Sequence, residues 1–543
     1  MEITNSKKKI KKNFIVAKIR QSQVNQGFNK HIKDIFLCRS PIFQTSFIRC
    51  CSINMKIAVI GAGVGGLATA IELSKKGHEI HIFDSSNSAG GKLKQIQLSN
   101  YRFDAGPSLF TQPDWMLSLL SPKQKDNFKI IQLETICNYF FADKTNFSAP
   151  SNIEKFIATA GLTFKENPNK IRQYIHKYNK IYQITKPVFL ENSLHKLSTY
   201  FSKSGIRGIV NLWRIDMLRT MNSANETFFI NPNLIQLFNR YGTYNGSNPY
   251  KAPATLNVIP QLEMLDGAFL PAQGMYSITE TLVAQALENG VNFHFQSNVT
   301  AINYLTPKYF FSNKKKVTGI TVNHQTLPFD AVVANVDAKR VYNHLLKHPL
   351  PGKIKTAENS SSALIFYWGI KKEFPQLDVH NILFSDNYPK EFEHIFTHKD
   401  LYQDPTIYIN ITSKHCKDDA PPGGENWFVM INTPANYGQN WEELRKFARK
   451  QIIAKINTRF NCDLESLIEV EDYLDPIRIE ERTGSNRGSL YGSSSNHKMS
   501  AFFRQANFSA AFNGLYFCGG SVHPGGGIPL CIQSAKIVAK CIQ

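Results

Sequence analysis

An α/β fold organised on a Rossmann-like parallel sheet is predicted by three observations. The run IAVI at Ile57–Ile60 is continuously apolar, as a parallel strand buried on both faces requires. Gly61, Gly63 and Gly66 follow at the spacing G-x-G-x-x-G and lead into a helical pattern with Leu67, Ala70 and Ile71 on one face. EIHIF then reads as a second strand, with Asp84 at its end.

Each residue type in this unit has a physical task. Gly61 permits the tight turn, Gly63 lets backbone approach a pyrophosphate, and Gly66 lets helix and strand pack closely. The helix N-terminus offers free N–H groups and partial positive charge to the phosphates. Gly77 ends the helix. A carboxylate at Asp84 accepts hydrogen bonds from a ribose diol and repels a 2′-phosphate, which argues against NADP. The unit is expected to bind a dinucleotide.

Two further features, one nearby and one far along the chain, point to a flavin dinucleotide rather than a nicotinamide one. SAGGK (Ser88–Lys92) and FDAGPSLF (Phe103–Phe110) follow the second strand closely. An extended flavin nucleotide needs several places of close backbone approach, which glycine allows. Far along the chain, Gly519 and Gly520 end a strand, and Gly525–Gly527 precede a helix with Pro529 in its first turn. Such a helix end can face the flavin pyrimidine edge and stabilise its anionic reduced form by roughly 0.3–2 kcal/mol.

Between these ends the pattern changes. A helix is predicted from about Tyr276 to Leu287, closed by Gly290, followed by one or two strands in VNFHFQSNVTAINY and a buried strand in DAVVANVD. ALIFYWGI, TIYINIT and WFVMINT alternate like antiparallel strands. Residues 118–250 show helical spacing in IEKFIATAGL and IVNLWRIDML. The second of these is read as a helix that packs on a core or, being basic and aromatic, lies on a membrane surface.

Composition narrows the class. The 543 residues carry a formal charge of +21, and residues 1–54 hold eleven Lys/Arg against two acids. That basic excess favours anionic surfaces. With no zinc-finger, RNA-recognition or basic-helix signature, lipid is the expected surface and nucleic acid is not. Nine cysteines, none in a C-x-x-C pair, give neither a disulfide framework nor a metal site. No run of eighteen or more apolar residues is present, so membrane contact is expected to be peripheral. Residues 1–54 read as an upstream extension before a start at Met55, or as a transit peptide in a eukaryotic source.

The motifs VIGAGVGGLATAIEL, SAGGKLK, FDAGPSLFTQP, YNGSNPYKAPATLNVIP, LPAQGMYSITETL, ANVD, SNRGSLYG and CGGSVHPGGGIPLCIQSA occur in that order. In them, residues 55–543 resemble the bacterial-type phytoene desaturases and their carotenoid desaturase relatives, within the flavin amine oxidase superfamily. The resemblance implies an amine-oxidase-like FAD-binding domain with a mixed-sheet substrate domain and a helical, membrane-facing subdomain. It implies domain boundaries of 1–54 (extension), 55–118, 261–340 and 481–543 (FAD-binding parts), 119–260 (helical region) and 341–480 (substrate domain). Non-covalent FAD is implied, with Gly61, Gly63, Gly65, Gly66, Asp84, Gly90, Gly91 and Lys92 at the nucleotide half. Val299 would meet the adenine through its backbone, Gly106 and Pro107 would line the site, and Gly519, Gly520, Gly527 and Ile528 would flank the flavin end. Lys92 departs from the family's usual arginine, and Ser521-Val522 from its usual threonine before histidine.

The resemblance further implies removal of two hydrogens from adjacent carbons of a hydrocarbon polyene, by hydride transfer to flavin and loss of a proton. Such chemistry rests on orientation in an apolar tunnel and needs neither nucleophile nor metal. His523 is a candidate proton acceptor, Arg487 a candidate for anchoring or polarising the cofactor, and Asp104 a turn residue. FDAGPSLFTQP looks more like the hydroxycarotenoid 3,4-desaturase branch than the phytoene branch. The expected location is the cytoplasmic, inner face of a membrane, with oxygen or a quinone as electron acceptor. The alternatives are another flavin oxidoreductase (amine or protoporphyrinogen oxidase, retinol saturase) and a flavin-free binding protein like the GDP-dissociation inhibitors.

Overall fold

In the computed structural model, residues 54–542 are described, apart from 212–213, 308–313, 499 and 501–503. The extension expected over residues 1–54 therefore lies, but for Asn54, outside the described residues.

The strand Lys56–Ile60 sits at the centre of a five-stranded parallel sheet. Its neighbours are Ala331–Ala334 on one side and Glu79–Phe83 on the other; Leu515–Phe517 and Asn292–His294 form the edges. Alternation along the strand feeds two cores. Ile57 and Val59 pack with Leu67 and Ile71 of the helix Val64–Ser74 and with Ile532, Ala535 and Val538 of the helix Ile528–Cys541. Ala58 and Ile60 point the other way, into a core shared with Ile302, Val317 and Ile320. Those belong to a small sheet of Val299–Leu305, Lys315–Val322, Gln325–Pro328 and Phe512–Asn513. The predicted strand–helix–strand unit, the helix (Ser277–Glu288) and the buried strand in DAVVANVD are all present.

A second large sheet has seven strands in the order Ile468–Leu474, Ser362–Ile370, Glu425–Thr433, Ile407–Ile411, His380–Leu383, Thr135–Phe140 and Asn146–Pro150. All pairings are antiparallel except His380–Leu383 with Thr135–Phe140. The nine residues of Ser362–Ile370 are all buried, because both faces are covered. Leu364, Phe366 and Trp368 pack on Ile452 and Ile456 of the helix Trp441–Phe460, while Ile365 and Tyr367 pack on Tyr101 and Phe103.

The helix Ile153–Phe164 stands where the spacing in IEKFIATAGL placed it, and a longer helix, Pro168–Thr185, follows it. Of the helix expected in IVNLWRIDML, only Ile209 and Val210 are in an α-helix among the described residues. The helix Lys203–Val210 stops at Asn211, and Trp213 lies outside the described residues. Asp216 adopts a left-handed φ of 58° that interrupts a helix. Its carboxylate accepts from Lys177, Tyr178 and Arg219 at 2.6, 3.0 and 2.7 Å, which rewards the break.

Candidate functional site: a cavity with a glycine-built end

The turn after the central strand is made of backbone packed on backbone. Gly61 has φ +99°, and its N–H donates to Phe83 O at 2.8 Å. A Cβ on Gly66 would lie 2.1 Å from Gly61 O, so only glycine fits there. A Cβ on Gly65 would meet Asn335 Oδ1 at 2.6 Å and Gly519 Cα at 3.0 Å. The first and last glycine sets of the chain are thus neighbours in space.

Asn335, at the end of the strand Ala331–Ala334, is the side chain between them. Its Nδ2 donates to Gly61 O at 3.1 Å, and its Oδ1 accepts from Cys518 Sγ at 3.6 Å. Sequence reasoning saw the ANVD motif but gave Asn335 no role; its contacts are with glycines distant in the chain, which spacing does not reveal.

The other loops dock on this turn. Gly90 N–H donates to Ala62 O at 2.9 Å. A Cβ on Gly106 would be 2.0 Å from Lys92 O, so the FDAGP loop lies directly on the SAGGK loop. The Lys92 ammonium donates to Leu490 O at 2.7 Å, and burial pulls its pKa below the ordinary lysine value. Asp84 accepts from Ala62 N–H and Ser86 N–H, both at 2.8 Å. Each of its oxygens keeps a second lone pair for a ribose hydroxyl. Asp104 is buried and accepts from Met275 N–H at 2.9 Å, Tyr276 N–H at 3.2 Å and Arg102 at 2.8 Å. It joins the FDAGP loop to the helix Ser277–Glu288, the hydrogen-bonding role read from sequence, but it ends the strand Tyr101–Asp104 and is not a turn residue.

These loops open on one cavity of about 1240 Å³, above the roughly 300–1,000 Å³ of ordinary small-molecule pockets. Gly61, Gly63, Gly65, Asp84, Gly90, Gly91, Lys92, Gly106, Pro107, Val299, Gly519, Gly520, Gly527, Ile528 and His523 line it. Gly66 is not among the lining residues; it serves the turn from behind. Arg487 is not among them either: it is exposed, with its guanidinium 4.6 Å from the Tyr437 ring centre. His523 is 2% exposed, and its Nε2 stands 2.9 Å from Asn192 O. A carbonyl only accepts, so Nε2 carries the proton and donates. Burial pulls the imidazole down to about 4, keeping it neutral.

Two helix N-termini aim at the cavity with no side-chain cap and no acidic residue in the first turn. They begin after Gly63 and Gly527. Free N–H donors and positive dipole ends are what a pyrophosphate and an electron-rich ring edge require. The glycine-walled cleft, the Asp84 carboxylate and these two ends fit FAD.

Beyond the glycine loops the walls are apolar, among them Ile136, Phe189, Leu256, Ile382, Phe428 and Met430. A buried polar knot around Arg240 interrupts them. Arg240 donates to Tyr139 OH at 2.9 Å, Tyr244 OH at 3.0 Å and Glu263 Oε2 at 3.1 Å, and Tyr241 OH donates to Glu263 at 2.9 Å. Arg240 and Glu263 are 5% and 1% exposed. Neither their distance in sequence nor local patterning marks them as partners.

The family model of flavin containing amine oxidoreductases matches residues 64–543. The chain belongs to that family. It is a flavin oxidoreductase, and FAD is its cofactor. It is 49% identical over 490 residues to a 1-hydroxycarotenoid 3,4-desaturase of Flavobacterium sp. (strain P99-3), covering 90% of this chain and 99% of the relative. A phytoene desaturase of Fusarium fujikuroi is 27% identical over 518 residues, with coverage of 90% and 89%. Among solved structures, the cyclohexylamine oxidase of Brevibacterium oxydans IH-35A superposes with a TM-score of 0.55 at 11% identity, covering 90% of this chain and 98% of that one. The last likeness is one of fold. The flavin-free binding-protein alternative gives way to the family's redox chemistry.

Proposed function

We propose that this flavoenzyme is a carotenoid desaturase acting on a hydroxylated polyene. The observation that carries the reading is the continuity of one cavity, from the glycine-built nucleotide end to long apolar walls. The likeness to the hydroxycarotenoid desaturase along nearly its whole length supports the substrate class. A hydrocarbon chain offers little for polar groups to grip, so apolar walls must orient it, and reactivity then follows from placement. Bound FAD supplies a two-electron acceptor for hydrogen leaving one of two adjacent carbons.

The chain's own residues divide the remaining work. Gly61–Gly66, Asp84 and Gly90–Lys92 would hold the nucleotide half, with Val299 near the adenine; Gly519, Gly520 and the helix end at Gly527–Ile528 would hold the flavin end. His523 is a weak proton acceptor, because burial holds its imidazole down at about 4; its Nε2–H donates to Asn192 O and ties the C-terminal loop to the segment that follows Lys186–Leu190. Arg487 is given no role at the reacting atoms.

The substrate partitions into lipid, and an entry face is part of the proposal. Leu197, Phe201, Ile206, Ile209, Val210 and Leu218 are exposed, beside exposed Lys203 and Arg207. Apolar side chains flanked by cations match an anionic lipid surface. The helix Lys203–Val210 packs on the cavity wall: a Cβ on Gly208 would lie 2.8 Å from Val188 Cγ2, and the adjacent Phe189 and Leu190 line the cavity. Among the described residues no helix is long and apolar enough to cross a membrane.

Expression in carotenoid-producing bacterial hosts, followed by chromatography of the pigments, tests the reading. New double bonds in a hydroxylated acyclic carotenoid are expected. Unchanged pigment in hosts making phytoene, neurosporene, lycopene and hydroxylated carotenoids would overturn it. Flotation with anionic liposomes tests the entry face; failure to float would remove it.

A further inference from the structure

A second polar feature of the cavity wall has no use in the mechanism above. His380 is 4% exposed, begins the strand His380–Leu383 and lines the cavity. Its Nδ1 stands 2.7 Å from Tyr408 OH and 3.3 Å from Asn410 Nδ2. The orientation of the Asn410 amide follows from its other bond, since Nδ2 also donates to Val379 O at 3.0 Å. An amide nitrogen only donates, so Nδ1 of His380 is the acceptor. The proton of the neutral ring therefore sits on Nε2. That Nε2 is buried and has no hydrogen-bond partner among the described residues.

Tyr408 OH lies 2.7 Å from Ser108 Oγ. With the tyrosine proton directed at His380, Ser108 donates to Tyr408. Ser108 belongs to FDAGPSLF, so the loop that packs against the nucleotide end also sets the tautomer of His380. Burial holds the imidazole down at about 3, so the ring stays neutral and Nε2 keeps its hydrogen through the physiological range. Arg240 lies close enough to contribute to this lowering.

A buried donor with no acceptor is disfavoured unless a ligand completes it. A purely hydrocarbon polyene cannot. We propose that His380 Nε2–H is a specificity-determining donor that receives the oxygen of a hydroxyl group carried by the polyene, with Ser108, Tyr408 and Asn410 as its positioning residues. Ile382, Phe428 and Met430, which line the same cavity, are apolar and would take hydrocarbon. Sites built to hydrogen-bond a hydroxyl discriminate strongly against analogues lacking it. This inference rests on the desaturase reading and sharpens it from a chain of carbons to a chain with an oxygen at a defined end.

The test compares wild type, His380→Phe and His380→Gln as FAD-loaded enzymes on a hydroxylated acyclic carotenoid and its non-hydroxylated counterpart. Visible flavin absorbance and thermal unfolding establish that each variant is folded. Glutamine can return an N–H donor near Nε2; phenylalanine cannot. In His380→Phe, the kcat/KM preference for the hydroxylated substrate is expected to fall about tenfold or more, chiefly through KM, as loss of one hydrogen bond implies. In His380→Gln it should recover in part. An equal effect of His380→Phe on both substrates, or none on either, would overturn the proposal. Should wild type desaturate neither compound, the desaturase reading fails. The subsite is then judged by titrating each carotenoid into wild type and His380→Phe and following its absorption spectrum. A wild-type preference for the hydroxylated carotenoid that His380→Phe abolishes supports the site, and equal affinities overturn it. Should both variants fail to fold, His380→Leu, which also removes the donor but brings less volume than phenylalanine, is measured in the same way. Retention of full hydroxyl preference there overturns the proposal.

Discussion

At the nucleotide end of the cavity the walls are backbone; at the far end they are side chains. Gly61, Gly65, Gly66 and Gly519 crowd so closely that added Cβ atoms would fall 2.1–3.1 Å from their neighbours. At the far end Arg240, Glu263, Tyr244, Tyr408 and His380 converge from separate helices and strands. The first end recognises charge through N–H groups and helix dipoles, which any flavin dinucleotide satisfies. The second recognises through specific donors and acceptors, where each exchange alters the choice of ligand. Cofactor binding is thus robust to side-chain drift and sensitive to added volume; substrate choice is the reverse.

The contrast can be broken from either side. Arg240→Met leaves Glu263 buried without its cation and is expected to cost about 3–5 kcal/mol, measured by chemical denaturation. Recovery on adding Glu263→Leu would show that the charge, and not packing, was responsible. At the nucleotide end Gly66→Ala forces a methyl onto Gly61 O; a cost of about 3 kcal/mol and loss of bound flavin are expected, read from visible absorbance after gel filtration. Asp84→Asn keeps the volume but can accept from only one of the two N–H groups. A loss of about 2 kcal/mol in FAD binding should follow. If Asp84→Asn proved worse than Gly66→Ala, volume would not be the governing quantity at this end.

A smaller effect concerns Glu391, whose carboxyl burial pushes up to about 7 while Thr406 N–H and Oγ1–H, at 3.0 and 2.7 Å, and Lys455 pull it down. The folded state holds this proton between the unfolded value near 4.5 and 7, so the contribution is full at low pH and is lost as pH rises through 7. Glu391→Gln should therefore match wild type near pH 5 and exceed it near pH 8 by about 1 kcal/mol or more in thermal unfolding. Smallest of all, Arg487→Ala should change stability by no more than about 0.5 kcal/mol and leave flavin content intact. A marked loss of flavin there would return Arg487 to the site.

The contrast also accounts for what was legible in advance. IAVI, the glycine turn, EIHIF and the two later glycine clusters announce themselves because each is a local pattern with a local cause. The helix wrongly expected in IVNLWRIDML shows the limit: its apolar spacing was sound, but Asp216 is held by Lys177 and Tyr178, residues no window around it contains. Asn335, His380 and the Arg240–Glu263 pair were missed for the same reason. His523 and Arg487 look alike in sequence, each polar and near glycines. Only burial of one and exposure of the other separates them.

The adjacency of Gly65 and Gly519 has a consequence in time. The helix Val64–Ser74 leaves the ribosome early, yet the helix it packs against, Ile528–Cys541, and the edge strand Leu515–Phe517 emerge only after nearly everything between them. A nascent chain therefore carries half a cleft, with Leu67 and Ile71 lacking their partners. The cleft is complete only once that second glycine set has emerged, which makes cofactor capture a late event.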